Sequence, residues 1–385
     1  MQKSIEDINS DKTKKRIKVL HFTVANTGGG ITKFILRLWQ HIDKRRFQFD
    51  FVTMSKHLDF AEQLEKDGCN IYYLSVYAEE DREKFANEVI EILKRGYDVI
   101  HLHTTWWRGF WIEELAKEVG ISKIIVHAHS TDVYIKDNQL KGDARKLHYS
   151  YQKRLTKDIA TDFWACAKDA AYWLYGDRIP EEMIKIVPNA IELDKFDYNE
   201  MTRRVYRERM SLSDKFVIGM IARFQYEKNH EFAIRILKKM TYYVNNAVLL
   251  LIGIGDLEEE IKNLVKKNGL QDKVMFLGLR SDVAELLQAM DLFILPSRFE
   301  GLSIAAVEAQ ASGLKCIVSN LQTEEVKITD NIKLLDLCEE IWIEEALKYS
   351  KGYNRNSKRK ELAEKGYDIC TEIKKIEELY SDCGK

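Results

Sequence analysis

Three prolines and nineteen glycines among 385 residues are too few for a collagen-like chain or a long disordered segment. The six cysteines, Cys69, Cys166, Cys316, Cys338, Cys370 and Cys383, are scattered without a close pair, so neither a disulfide framework nor a zinc-binding spacing is visible. No apolar run approaches the roughly 20 residues that cross a bilayer. The polar amino terminus, MQKSIEDINSDKTKKR, reads as neither a signal nor a transit peptide, and the expected setting is the reducing cytoplasm. Sixty basic residues stand against 61 acidic ones, a formal charge of -1, and nothing in that balance points to a nucleic-acid partner. A GxSxG or Ser-His-Asp signature for acyl hydrolysis is missing. So is any Asp-x-Asp pair that would chelate Mg2+ or Mn2+; no metal and no cofactor is expected.

What is present is a soluble composition, 45% hydrophobic and 31% charged, in a chain long enough for two domains. After a polar tail, residues 1–15, short apolar strands alternate with helical stretches: Ile17 to Thr23, Phe49 to Thr53, Ile71 to Leu74, Val99 to His103, Ile124 to His127, Phe163 to Ala167 and Ile184 to Pro188. That alternation predicts a parallel sheet with right-handed crossovers over residues 16–194. Residues 195–213 are charged and poor in aliphatics and read as a linker. The alternation restarts at Phe216 to Ala222 and continues through Ala247 to Gly253, Val274 to Gly278, Asp291 to Ser297 and Cys316 to Ser319, a second domain over 214–365. The predicted fold class is α/β, two Rossmann-like domains facing across a cleft. An amphipathic helix within 366–385 ends the chain, with a return to the first domain as one possible packing.

Candidate chemistry gathers at predicted strand ends, where ligands bind in open α/β sheets. The stretch Arg298 to Gly313, RFEGLSIAAVEAQASG, sets Glu300 and Gly301 before a helix and Glu308 inside it. A helix start offers unpaired N–H groups and a positive dipole end, which suits phosphate. Arg223 and Lys228, in ARFQYEKNH, follow the first strand of the second half on the same expected rim and can grip a diphosphate from two sides. Gly28, Gly29 and Gly30 between a strand and a helix either cradle phosphate or make a tight turn. Gly253 and Gly255 either let a flat ligand approach the backbone or serve a turn. His101 and His103, and His127 and His129, stand as two HxH pairs at strand ends; further metal ligands are not evident, and one histidine of each pair reads as buried and one as facing the cleft. The aromatic cluster Trp106 to Trp111 serves sugar stacking or a membrane surface if exposed, and the core if buried.

These segments, HFTVANTGGGITKFILRL, DVIHLHTTW, VHAHSTD, IVPNAIELDKF, GMIARFQYEKNHEFAI, LLIGIGDLEEEIK and FLGLRSDVAELLQAMDLFILPSRFEGLSIAAVEAQASG, taken in order, resemble the retaining family-four glycosyltransferases with the GT-B fold, over nearly the whole chain beyond the tail. The tail of the second half is similar to bacterial members that build capsular or extracellular polysaccharide. The resemblance implies that Arg223 and Lys228 bind the diphosphate and that Glu308 holds the ribose hydroxyls. It also implies that Glu300 lies near the donor sugar and that Gly301 and Leu302 meet the distal phosphate. His129 would reach the donor sugar from the first domain, Gly28 and Gly29 border phosphate and acceptor, and Gly253 and Arg280 lie near the base. The implied activity is transfer of a hexosyl unit from a nucleoside-diphosphate sugar to a saccharide or lipid-linked saccharide acceptor, with a peripheral membrane contact as a further expectation. A sugar-nucleotide epimerase and a non-catalytic sugar-binding protein are the alternatives; the first would need no acceptor, and the second would release no nucleoside diphosphate. Departures from the family pattern, Lys315 after Gly313 and Leu314, NAIE at Asn189 to Glu192, and Ala222, lie outside the proposed chemistry.

Overall fold

The protein is described here by a computed structural model covering residues 15–26, 29–133 and 138–382. Seven strands build the first sheet: β1 Ile17–Val24, β2 Phe47–Thr53, β3 Ile71–Tyr73, β4 Val99–Thr104, β5 Lys123–Ala128, β6 Asp162–Ala165 and β7 Ile184–Ile186. They lie in the order β3-β2-β1-β4-β5-β6-β7, and each neighbouring pair is parallel. Six more build the second: β8 Phe216–Ile221, β9 Ala247–Ile252, β10 Val274–Phe276, β11 Leu292–Leu295, β12 Lys315–Ser319 and β13 Ile332–Leu335. Their order, β10-β9-β8-β11-β12-β13, repeats that of the first sheet, again all parallel. Parallel sheets are covered by helices on both faces, so their strands need apolar residues on both sides rather than an alternation. AVLLLI in β9, buried at every position, meets that demand.

In each sheet the strand order reverses direction next to the first strand, between β1 and β4 and between β8 and β11. Loops leaving the carboxyl ends of those strands diverge to opposite faces and leave a crevice between them. The crevices hold the loop after β1 with Gly29, the ends of β4 and β5 with their histidines, the loop after β8 with Arg223, and the loop after β11 with Glu300.

Residues 195–213 are not an open connection. Glu200–Arg209 is a helix that packs on the Val283–Ala289 helix of the second domain. Its charge has a structural use: Arg203 and Arg207 both pair with Asp291, and the Arg207 guanidinium also donates to the Ala289 carbonyl at 2.8 Å. The last helix, Ile369–Ser381, lies on the first domain. Ile369, Ile373, Ile376 and Tyr380 join the core beneath the Gly30–His41 helix, and Arg46 reaches Glu377 at 3.0 Å.

Candidate functional site

The second-domain rim is assembled by two loops stitched together. After β8 the chain makes a short turn, Tyr226–Lys228, stopped by Asn229 in the left-handed region at φ 56°. Asparagine tolerates that backbone better than most residues. Its side-chain amide donates to the Pro296 carbonyl at 3.1 Å, while Arg298 N–H donates to the Glu227 carbonyl at 2.7 Å, so the turn is fixed to the end of β11. The result brings the Lys228 ammonium onto Glu300 Oε2 in an ion pair whose two side chains are 15% and 12% exposed. Ser297 Oγ adds a 3.3 Å hydrogen bond to the same oxygen. Arg223, half-buried beside them in sequence, has no acidic partner among the described residues.

Across the cleft, the first domain meets this rim directly. The Thr131 hydroxyl donates to the Glu300 carbonyl at 3.2 Å. A Cβ placed on Gly301 would sit 3.6 Å from the His129 carbonyl oxygen. Ser303 caps the Ile304–Ala311 helix by accepting from Ala306 N–H at 3.4 Å. Leu302 is buried just before it. Glu308, one turn further in, is also buried and accepts from Arg37 of the Gly30–His41 helix at 2.5 Å. Both acids of the stretch thus hold a cation, one from each domain. Arg37 is a residue that sequence reasoning passed over, although one charge inside the run FILRLW was a sign that a partner was needed.

Other expected residues are placed less centrally. Gly28 lies outside the described residues; Gly29 precedes the first turn of the Gly30–His41 helix. Gly253 has φ 142°, and a Cβ there would come within 2.1 Å of the Ala222 carbonyl oxygen; at Gly255 one would meet Phe224 backbone at 2.6 Å. The close approach those glycines allow is to the neighbouring loop that carries Arg223. Arg280 is engaged by Asp282 through two hydrogen bonds, 2.7 and 2.6 Å, on the surface.

Each histidine pair divides: His101 and His127 are fully buried, whereas His103 and His129 are half-buried. Burial takes His129 to a pKa of about 3, and holds His101, His103 and His127 well below the ordinary imidazole value. All four are therefore neutral at physiological pH. The aromatic cluster divides: Trp107 and Phe110 are core, with the Trp107 indole donating to the Leu174 carbonyl at 2.7 Å. Trp106 and Trp111 instead line a cavity of about 460 Å³ shared with Tyr77, Phe22 and His103. A second cavity, about 600 Å³, opens between the domains against Thr131, Tyr149, Trp173, Glu300 and Gln322. A polar cleft with two cations, a helix start and neutral imidazoles can hold an anionic ligand bearing hydroxyl groups.

Residues 203–348 match the family model for glycosyl transferases group 1, and residues 29–190 match that for the glycosyl transferase 4-like domain. EpsF of Bacillus subtilis (strain 168) is 29% identical over 374 residues, covering 94% of this chain and 96% of that one. The UDP-Gal:alpha-D-GlcNAc-diphosphoundecaprenol alpha-1,3-galactosyltransferase of Escherichia coli is 23% identical and covers 96% and 98%. Anabaena Alr3699/HepE, solved in complex with UDP and glucose, shares the fold with a TM-score of 0.74 at 15% identity, covering 95% of this chain and all of that one.

Proposed function

Because the chain belongs to the GT-B glycosyltransferases of the family-four type, we propose that it transfers a hexosyl unit from a nucleoside-diphosphate sugar to a saccharide acceptor with retention at the anomeric carbon. The observation that carries this reading is the Lys228–Glu300 pair on the rim of the cleft, with Arg223 on the same loop and His129 on the facing domain. When a donor enters, its diphosphate competes with Glu300 for Lys228 and recruits Arg223, and the helix start after Ser303 adds dipole stabilisation. The bond from C1 to the phosphate oxygen breaks as the bond from C1 to the acceptor oxygen forms. The acceptor's proton passes to the departing phosphate oxygen on the same face, so no protein nucleophile is required. Arg223 and Lys228 offset the charge that develops on the leaving group, the step where electrostatic stabilisation counts most. Glu300 and His129 orient the sugar. No metal is needed in this scheme, since the cations do the neutralising.

A UDP-linked donor is the first to test, because a full-length relative is named for UDP-galactose and a structural neighbour holds UDP and glucose. We place the acceptor in polysaccharide assembly on a lipid-linked saccharide, with the protein at the inner face of the cell membrane, and assign the acceptor to the cavity of about 460 Å³ lined by Trp106 and Trp111. No helix among the described residues is long and apolar enough to cross a membrane; the contact in this reading is a peripheral one. A thermal-shift screen of nucleotide sugars tests the reading, since a ligand that binds only the folded state raises its melting point. A stabilising nucleotide sugar supports it; a panel of UDP-, GDP- and dTDP-sugars without a shift overturns it.

A further inference from the structure

Five histidines line one face of the first sheet: His21 on β1, His101 and His103 on β4, His127 on β5 and His129 just past it. Phe34 of the Gly30–His41 helix lies over them, 5.4 Å from the His129 ring, and Tyr380 of the last helix closes the far side with its hydroxyl 2.7 Å from His101 Nδ1. His103 sits in the middle of a three-ring chain. Its Nε2 is 3.0 Å from His21 Nδ1, and its Nδ1 is 3.0 Å from His129 Nε2.

Two groups of three of these histidines have nitrogens close enough together to consider a metal ion. The ring geometry favours protons. His21 and His103 lie 13° from coplanar with centroids 5.4 Å apart, so their facing nitrogens meet nearly edge to edge. An ion between two collinear imidazole nitrogens would hold them about 4 Å apart, twice the zinc–nitrogen distance. The observed 3.0 Å is the length of an N–H···N hydrogen bond.

Burial takes His21, like His129, to a pKa of about 3, so each ring carries one proton and one lone pair. Such a chain has a direction, set by its inner end: among the described residues, His21 Nε2 is buried with no hydrogen-bond partner. In protein backbones a buried N–H without an acceptor is rarer than a carbonyl short of a donor, and we carry that preference over to the imidazole. His21 Nε2 therefore holds the lone pair, and the protons sit on Nδ1 of His21, of His103 and of His129. His129 Nε2 is then occupied by His103, and Nδ1–H is what His129 can offer a ligand.

We propose that His103, backed by His21, is a positioning residue that fixes His129 as an Nδ1–H donor toward a hydroxyl oxygen of the donor sugar. The sugar in this statement rests on the transferase reading above; the proton arrangement rests on the histidines alone. The order is the reverse of the Nε2–H form that free histidine prefers, which makes it visible. In the substrate-free protein labelled with ¹⁵N-histidine, long-range ¹H–¹⁵N spectra should show His21, His103 and His129 as Nδ1–H tautomers. His129 in the Nε2–H form overturns the proposal without any variant being made. His103→Phe keeps the ring volume and removes both hydrogen bonds; it should release His129 to the Nε2–H form and lower kcat about tenfold with donor KM less affected. His103→Gln, which can accept and donate at once, should restore most of the rate. If packing alone mattered, His103→Phe would be the milder change, and that ranking contradicts the proposal. Tautomers as stated in a protein that turns over no nucleotide sugar would uphold the chain and tell against the transferase reading instead.

Discussion

Lys228 and Glu300, 72 positions apart in sequence, are joined in an ion pair on the rim of the interdomain cleft, and Glu300 is tied through its carbonyl to Thr131 of the facing domain. The cation expected to hold the donor's diphosphate is therefore held, before any donor binds, by the acid expected beside the donor's sugar. The pair stores Lys228 in place and sets a competition for it.

That competition gives Glu300→Gln two opposite effects. Removing the carboxylate frees Lys228 and takes away a negative charge near the diphosphate, so UDP alone should bind roughly fivefold tighter, about 1 kcal/mol. Transfer should slow, because the sugar loses its orienting acid. Calorimetric titration with UDP and a steady-state assay read the two separately; weaker UDP binding would show that Glu300 does not compete for Lys228.

Arg37 and Glu308 form a second pair, with side chains 12% and 3% exposed, between the two domains. Breaking a buried pair from one side leaves an uncompensated charge and costs more than the pair itself contributes. Arg37→Met should lower the melting temperature, and adding Glu308→Gln should recover part of the loss, with a coupling of about 1 kcal/mol or more in the double-mutant cycle. Additive losses would mean the two side chains act independently.

Glycine substitutions separate the loops. Gly253→Ala puts a methyl group 2.1 Å from the Ala222 carbonyl oxygen at a φ of 142°, and should cost about 1 to 3 kcal/mol while displacing the loop of Arg223. Gly301→Ala meets its nearest atom at an ordinary 3.6 Å and should change stability by no more than about 0.5 kcal/mol. Urea unfolding of the two variants gives the order directly, and equal losses would contradict it.

Stability should fall on acidification. Burial sets His21, His129 and His230 at about 3 and His148 at about 4, below the ordinary 6.5. From pH 6.5 down to about 4 the unfolded chain takes up protons that the native protein refuses, and each histidine then removes about 1.4 kcal/mol per pH unit. Above pH 6.5 both states are neutral and the contribution vanishes. Glu113, which burial raises to about 7, has the opposite sign: its share of stability is present in acid and lost as pH rises through 7. One carboxyl does not offset four imidazoles, so the urea midpoint should drop between pH 7 and pH 5.5. A flat or rising midpoint would mean the histidines are not neutral in the native protein.

Both sheets were legible in the sequence because parallel strands announce themselves as short, largely apolar runs between helices, most clearly AVLLLI in β9. The Glu200–Arg209 helix was read as linker because its docking face is ionic: Arg203 and Arg207 bind Asp291 and nearby carbonyls, which leaves no apolar stripe to find. The short β13 edge strand, with only part of IKLL buried, was missed for lack of a continuous run. At the site, the position of Lys228 and Glu300 on one rim followed from strand ends. Their pairing did not, nor did that of Arg37 with Glu308, since contacts between domains leave no periodicity. The two HxH pairs were visible, but the strand offset that joins His103 to both His21 and His129 lies in the register of β1, β4 and β5.

The central claim, that Arg223 and Lys228 stabilise a departing nucleoside diphosphate during retaining transfer, is tested most directly by following UDP release and product configuration together. With a UDP-hexose and a saccharide acceptor, the wild-type protein should release UDP in step with an α-linked product from an α-linked donor. Lys228→Ala and Arg223→Ala should each lose at least about tenfold in rate, as expected for charge-assisted contacts worth roughly 1.5 to 3 kcal/mol. Unchanged turnover in both variants, or a product of inverted configuration, would contradict the account.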